Sequence, residues 1–191
     1  MKESGSLGGR AFLLTGPSGC GKTSAAYLIA ADVCDPDNFV EMDAGDVTPA
    51  RIDELERSLR YKCIGNKSGR AVLINEVHGL RKDTVRKLLV VLERIPNHTT
   101  WVFTTTLAGQ QLLLDGIDAD PLMSRCVCFR LDAMRYAAAF AKRAQEIAEA
   151  EGLGGAHPSE YLDLVKRCKA NFRMVLSEIE AGVCVREMMC A

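Results

Sequence analysis

The 191-residue sequence predicts an α/β fold, a parallel sheet flanked by helices and followed by a small helical domain. Three observations carry that expectation. Short apolar, β-branched runs alternate with helical patterns over the first two thirds of the chain, as parallel strands joined by crossover helices do. A glycine-rich stretch, GPSGCGKT at 16–23, lies between the first apolar run and the first helical pattern. Beyond Leu131 the strand-like runs stop and only helical patterns follow.

Each element has its own signal. RAFLLT (10–15) is a short apolar run bounded by glycines, hence a buried strand, and KTSAAYLIAADV (22–33) is a helix rich in alanine. NFVEMDA (38–44) is a second strand. TPARIDELERSLRYK (48–62) opens with threonine before proline and is expected to carry acids in its first turn, which starts a helix. AVLIN (71–75) is a third strand. RKDTVRKLLVVLERI (81–95) is an amphipathic helix whose Val85, Leu88, Leu89 and Leu92 recur at helical spacing and belong to the core. TTWVFTTT (99–106) and CVCFRL (126–131) are the fourth and fifth strands. Residues 133–151 and 158–190 are helical in pattern, split by GLGGAHP at 152–158. The expected organisation is a flexible lead-in over 1–9, an α/β domain over 10–131 and a helical domain over 132–191.

Composition narrows the class. A hydrophobic fraction of 48% and a charged fraction of 26% are those of a soluble protein. The net charge of −1 exerts no global pull on nucleic acid, so such binding needs a local basic face. Residues 51–94 offer one, with eleven Lys or Arg against six Asp or Glu, although a solvated helix face explains the excess equally well. No apolar run approaches the roughly 20 residues that cross a bilayer. MKESGSLGGR lacks the apolar core of a signal peptide, and a cytoplasmic protein is expected. The eight cysteines contain no C-x-x-C pair, which favours scattered reduced thiols over a zinc site. Alternation puts Cys126 and Cys128 on one face of their strand, where small hydrophobes belong.

GPSGCGKT satisfies G-x-x-x-x-G-K-[ST] in full, directly after a strand and at the start of a helix. The backbone N–H groups of Gly16, Pro17, Ser18, Gly19, Cys20, Gly21, Lys22, Thr23 and Ser24 supply the phosphate cradle, proline apart, with the helix N-terminus behind them. Lys22 brings a point charge to the β- and γ-phosphates, and the Thr23 hydroxyl can ligate Mg²⁺. A nucleoside triphosphate is therefore the expected ligand, ATP by choice. Glu76, immediately after the third strand, is placed to orient or deprotonate an attacking water.

The string GPSGCGKT, INEVHGL, WVFTTT and PLMSRCVCFRL resembles an AAA+ ATPase of the clamp-loader branch, the kind that includes DNA polymerase III gamma/tau and replication factor C subunits. The resemblance spans roughly residues 10 to 182 and keeps the order of motifs. It implies a P-loop NTPase sheet, a helical lid over 132–191, and the following roles. Thr106 is the first sensor, with Thr105 as the weaker candidate. Arg125, in S-R-C, is the arginine finger that enters the ATP site of the next subunit. Arg173, in NFRMVLSEIE, is the second sensor. Catalysis then rests on Glu76, Lys22, Arg125 and Thr106. These motifs weaken a reading as a small nucleoside monophosphate kinase.

At position 75 the resemblance leads one to expect an aspartate that holds Mg²⁺ through a water. Asn75 keeps an acceptor oxygen for that water and loses the charge, so weaker Mg²⁺ binding with hydrolysis retained is expected, and Asn75→Asp should tighten it. Three departures accompany it. Only 15 residues precede Gly16, Cys34 and Cys63 alone stand where bacterial relatives insert a four-cysteine zinc module, and the 191 residues include no collar domain, as expected of a minimal relative, of a fragment, or of a chain whose assembly surface another chain supplies. The implied protein is an oligomeric ATPase working with itself or related subunits in a ring, with DNA and a sliding clamp as partners and no membrane. The alternatives are a non-hydrolysing ATP-binding assembly module and another remodeller of this class, such as a transposition or defence ATPase.

Overall fold

Five strands form one parallel sheet in the order β2-β3-β4-β1-β5. They are β1 (Arg10–Thr15), β2 (Phe39–Asp43), β3 (Arg70–Asn75), β4 (Thr99–Thr105) and β5 (Val127–Arg130). The structure, a computed structural model, describes residues 7–106 and 120–184. The chain divides into two units, one holding the residues up to Gly16 and Lys22–Arg130, the other Pro17–Gly21 and the chain from Leu131 onward.

In the first unit the pleat sorts side chains onto two faces. Ala11, Leu13, Val72, Ile74, Trp101 and Phe103 point to one side. There they pack on Ile52, Leu55 and Leu59 of α2 (Pro49–Leu59) and on Val85, Leu88, Val91 and Leu92 of α3 (Lys82–Leu92). On the other face Ala71 meets Ala30 and Cys34 at the end of α1 (Lys22–Val33), with Phe39 against them. β1, β3 and β4 are thus covered on both faces, which is why they lack polar alternation, whereas β2 and β5 at the sheet edges are more exposed.

Helix ends fall short of the apolar pattern for identifiable reasons. Thr48 caps α2, accepting from the Arg51 N–H at 3.2 Å, with Pro49 in the first turn; the acids expected in that turn come only after it, from Asp53 onward. The expected continuation to residue 62 stops at Leu59, whose carbonyl is taken by His98 Nε2 at 3.0 Å and by the Thr99 hydroxyl at 3.4 Å. α3 ends at Leu92 rather than 95, tightening into a turn in which the Arg94 N–H donates to Val91 O, just ahead of Pro96. The lead-in expected over 1–9 is in part tied down. Gly9 N–H donates to Thr99 O and the Thr100 hydroxyl to Leu7 O, while residues 1–6 lie outside the described residues.

The expectation for Cys126 and Cys128 is corrected. β5 begins at Val127, is one of the two edge strands of the sheet, and has all four residues exposed. Cys128 is exposed and Cys126 half-buried ahead of the strand, so they do not form a buried stripe. The seven cysteines among the described residues are free thiols.

The second unit contains α5 (Ala137–Ala150), α6 (Pro158–Arg167) and α7 (Phe172–Glu180). Ala137, Ala141, Ala144 and Ala148 line one face of α5 and pack on Tyr161, Leu164, Val165, Val175 and Ile179. His157 caps α6, and the Glu160 carboxylate reaches back to the His157 N–H at 2.9 Å. The helical pattern over 158–190 is interrupted at 168–171, where Lys169 and Ala170 adopt left-handed backbone before Asn171 caps α7. Its last part, from 185, lies outside the described residues. No helix among the described residues is long and apolar enough to cross a membrane.

Candidate functional site

Parallel strands deliver their C-terminal ends to one edge of a sheet, and in open α/β folds that edge is where ligands bind. β1 ends at Thr15 and runs into Gly16, whose N–H donates to Thr105 O across β4. Lys22, at the start of α1, is 6% exposed and its Nζ donates to Gly16 O at 3.0 Å. A buried ammonium held by a carbonyl at the mouth of a glycine loop is poised for an anion.

The outer part of that loop, Pro17–Gly21, clusters with the helical unit. Gly19 has a φ of +72°, and a Cβ there would lie 1.9 Å from Asn171 Oδ1. Its carbonyl accepts from the Phe172 N–H at 2.9 Å, so the first turn of α7 sits directly on the loop. Cys20 is buried among the residues of this unit. A Cβ at Gly21, by contrast, would meet nothing within 4 Å. Arg173, expected as the second sensor, is exposed one residue after Phe172.

The ends of β3 and β4 are laced together by their polar side chains. The Thr104 hydroxyl donates to Asn75 Oδ1 at 2.9 Å and accepts from the Glu76 N–H at 3.3 Å. Thr105 Oγ1 lies 3.1 Å from His78 Nδ1, and Thr106 directs both its N–H and its hydroxyl to Glu76 Oε2, at 3.3 and 3.4 Å. His78 Nδ1 is also 3.3 Å from Glu76 Oε2. Glu76 itself has φ 51° and ψ 51°, a left-handed conformation that costs a non-glycine residue about 1 kcal/mol or more and is met most often at functional sites. Thr104 thus meets the Glu76 backbone and Asn75, Thr105 meets His78, and Thr106, just past β4, is bonded to the Glu76 carboxylate.

Asn75 is tied on its other side as well, its Nδ2 donating to Glu41 Oε1 at 2.6 Å. Glu41 in turn accepts from the Tyr27 hydroxyl at 2.7 Å, a bond that raises the phenol pKa above its ordinary value. The side-chain oxygens of Asn75, Glu41 and Glu76 are hard donors of the kind that suits Mg²⁺ with retained waters, and Thr23 is half-buried in the first turn of α1. His78, Glu41, Tyr27 and Thr104 were not singled out from the sequence. His78 could have been, as a titratable residue two places after Glu76, and Glu41 as an acid on the same face of β2 as Asp43.

Arg125 follows α4 (Asp120–Met123) and stands apart from this cluster. Its Nη1 donates to Pro121 O at 2.9 Å, and its Nη2 pairs with Glu93 Oε1 of the same chain at 2.5 Å. That hydrogen bond and charge hold the Glu93 carboxyl below the usual carboxylate range. Beside it, burial pushes the Cys126 thiol up to about 12.

A five-stranded parallel sheet with a complete glycine loop, a buried lysine behind it and a strained glutamate at the end of the third strand is the architecture of a P-loop nucleoside triphosphatase. Residues 12–127 match the ATPase family associated with various cellular activities (AAA), and the chain belongs to that family. It is 30% identical over 149 residues to the replication factor C small subunit of Natronomonas pharaonis, covering 74% of this chain and 42% of that protein. The replication factor C small subunit of Methanothermobacter thermautotrophicus is 28% identical over 147 residues, covering 74% and 43%. The chain thus spans less than half the length of these curated relatives. Among solved structures, RuvB of Thermotoga maritima is similar with a TM-score of 0.66 and 22% identity, over 90% of this chain and 53% of that one. A DNA polymerase III gamma subunit-related protein from Thermotoga maritima is similar with a TM-score of 0.61 and 14% identity, over 94% and 55%. These two share the fold.

Proposed function

We propose that the chain binds and hydrolyses Mg·ATP at sites completed between subunits of a ring-like oligomer, as a clamp-loader-type motor acting on a DNA-associated complex such as a sliding clamp. The observation that carries the reading is Glu76. It is the carboxylate just past the end of β3, on the same edge of the sheet as the P-loop with β4 between them, it is held in strained backbone, and Thr106 fixes one of its oxygens. Strain and a fixed oxygen are what a water-orienting base needs, since its position matters more than its stability.

In this reading Gly16–Ser24 hold the phosphates and Lys22 exchanges its contact with Gly16 O for a phosphate oxygen. Thr23 and the Asn75 environment would hold Mg²⁺, which when bound supplies positive charge to the phosphates. Glu76 orients water, Thr106 keeps Glu76 in place, and Arg173 reaches the nucleotide from the lid. Arg125 serves the neighbouring subunit's site. The similarity to replication factor C small subunits supports DNA and a clamp as cargo, and the basic excess over 51–94 supports a phosphate-backbone contact.

A second reading, an ATP-binding assembly module without turnover, draws on Asn75, whose amide is engaged by Glu41 and Thr104. Steady-state ATP turnover of the wild type and of Glu76→Gln separates the two. Hydrolysis should fall about 10²–10⁴-fold in the variant, with nucleotide binding retained. Equal rates in both proteins would remove Glu76 from the chemistry, and ATP binding without any turnover would favour the assembly module.

A further inference from the structure

We propose that Glu41 supplies the negative charge that position 75 lacks, so that the Asn75–Glu41 pair together replaces the aspartate of a usual magnesium site. The proposal rests on the nucleotide-binding reading above and names a residue that the motif pattern does not contain.

The orientation of Asn75 is fixed by chemistry. Glu41 accepts only, so the amide nitrogen must face it, and the Thr104 hydroxyl then donates to the remaining oxygen. An asparagine Nδ2 occupies the position of an aspartate's second oxygen. Glu41 Oε1 therefore stands 2.6 Å from where that oxygen would be. Two ionised carboxylates cannot share that separation without one of them being driven toward protonation. The amide puts a hydrogen bond where an aspartate would put a repulsion.

Glu41 is also aimed by the helix that begins at the P-loop. Tyr27 lies four residues after Thr23, hence on the same face of α1, and helix side chains lean toward the N-terminus. The Tyr27 hydroxyl donates to Glu41 Oε2 at 2.7 Å, while Asn75 holds Oε1. Both oxygens are thus fixed, between the residue expected to approach the metal through water and the helical face that carries its direct ligand. The register supports the same placement. Asp43 pairs with Asn75 and Glu41 with Leu73, so Glu41 projects on the α1 side of the sheet together with Asn75.

The test is the Mg²⁺ dependence of binding of a fluorescent, non-hydrolysable ATP analogue to the full chain, read by anisotropy, in the wild type, Glu41→Gln, Asn75→Asp and the double variant. In Glu41→Gln the new side-chain amide can still accept from Asn75, and the Tyr27 hydroxyl can reverse, so the hydrogen bonds survive while the charge is lost. Glu41→Gln should raise the Mg²⁺ concentration at half-saturation about three- to tenfold, with affinity in excess EDTA unchanged. Asn75→Asp should tighten Mg²⁺ dependence in the Glu41→Gln background and do little alone, in contrast to the tightening that the sequence by itself predicts for the single variant. Equal tightening by Asn75→Asp in both backgrounds, or an unaltered Mg²⁺ midpoint in Glu41→Gln, would overturn the proposal while leaving nucleotide binding intact. A wild type that binds no analogue in EDTA or Mg²⁺ would overturn the nucleotide-binding reading, and this inference with it. Should Glu41→Gln fail to fold, Tyr27→Phe releases the same carboxylate and must shift the midpoint in the same direction.

Discussion

Arg125, the residue expected to serve a neighbouring subunit, is paired within its own chain to Glu93 at the end of α3, Nη2 to Oε1 at 2.5 Å. The pair is partly exposed, 31% for the arginine side chain and 55% for the glutamate, so solvent screens it and exchange for a stronger anion is feasible. On the proposed shared site, Glu93 is a parking partner that a neighbour's phosphates would have to displace. Glu93→Gln should raise ATP turnover about two- to fivefold at protein concentrations below full assembly, and much less at saturation. Lower turnover at every concentration would show that the pair positions Arg125 instead.

The same pair sets a pH expectation. Because Arg125 lowers the Glu93 pKa, the contact stabilises the fold above the ordinary carboxylate pKa, and this is lost as pH falls through the depressed value. Thermal unfolding midpoints of wild type and Glu93→Gln should therefore keep a constant offset from about pH 6 to 8 and converge only in acid.

Cys126 gives a chemical marker of the same region. With its thiol pushed up to about 12 by burial, it is protonated and slow toward electrophiles at neutral pH. Maleimide mass mapping at about pH 7.5 should leave Cys126 unmodified in the native chain and modify it after denaturation. Rapid native labelling would mean that the segment carrying Arg125 opens.

Gly19 and Asn171 form a close-packed pair within the helical unit. A Gly19→Ala methyl meets Asn171 Oδ1 in a backbone conformation that disfavours side chains, and about 1–3 kcal/mol of destabilisation is expected. Asn171→Ala removes the cap on Met174 N–H at a cost of about 1 kcal/mol. The double variant should lose less than the sum in urea denaturation, since the second change makes room for the first. Simple additivity would mean that backbone strain, rather than the contact, dominates at Gly19.

Much of the fold was legible because the signals were local. β1 and α1 follow from an apolar run, a glycine loop and an alanine-rich helix, and Thr48-Pro49 marks the start of α2. The ends were not legible, because the Leu59 carbonyl is claimed by His98 and Thr99, some forty residues away. Lys169 and Ala170 turn left-handed without any glycine to announce it. Exposure of Cys128 depends on β5 being outermost, which is a matter of strand order rather than of alternation. At the site, the motif residues were visible as strings. The Tyr27–Glu41–Asn75–Thr104 network was not, since it depends on the β2–β3 register and on which face of α1 meets the sheet.

The central claim is that one chain's P-loop site is completed by Arg125 of another. ATP turnover of an equimolar mixture of Glu76→Gln and Arg125→Ala, measured across protein concentration with primed DNA present, tests it most directly. Each variant alone should be reduced, the arginine variant by about 10³–10⁵-fold. Their mixture should recover a substantial part of the wild-type rate, climbing with concentration as intact Glu76 meets intact Arg125 across a boundary. A mixture no more active than its components, beside a wild-type rate per chain that does not change with concentration, would contradict the shared site.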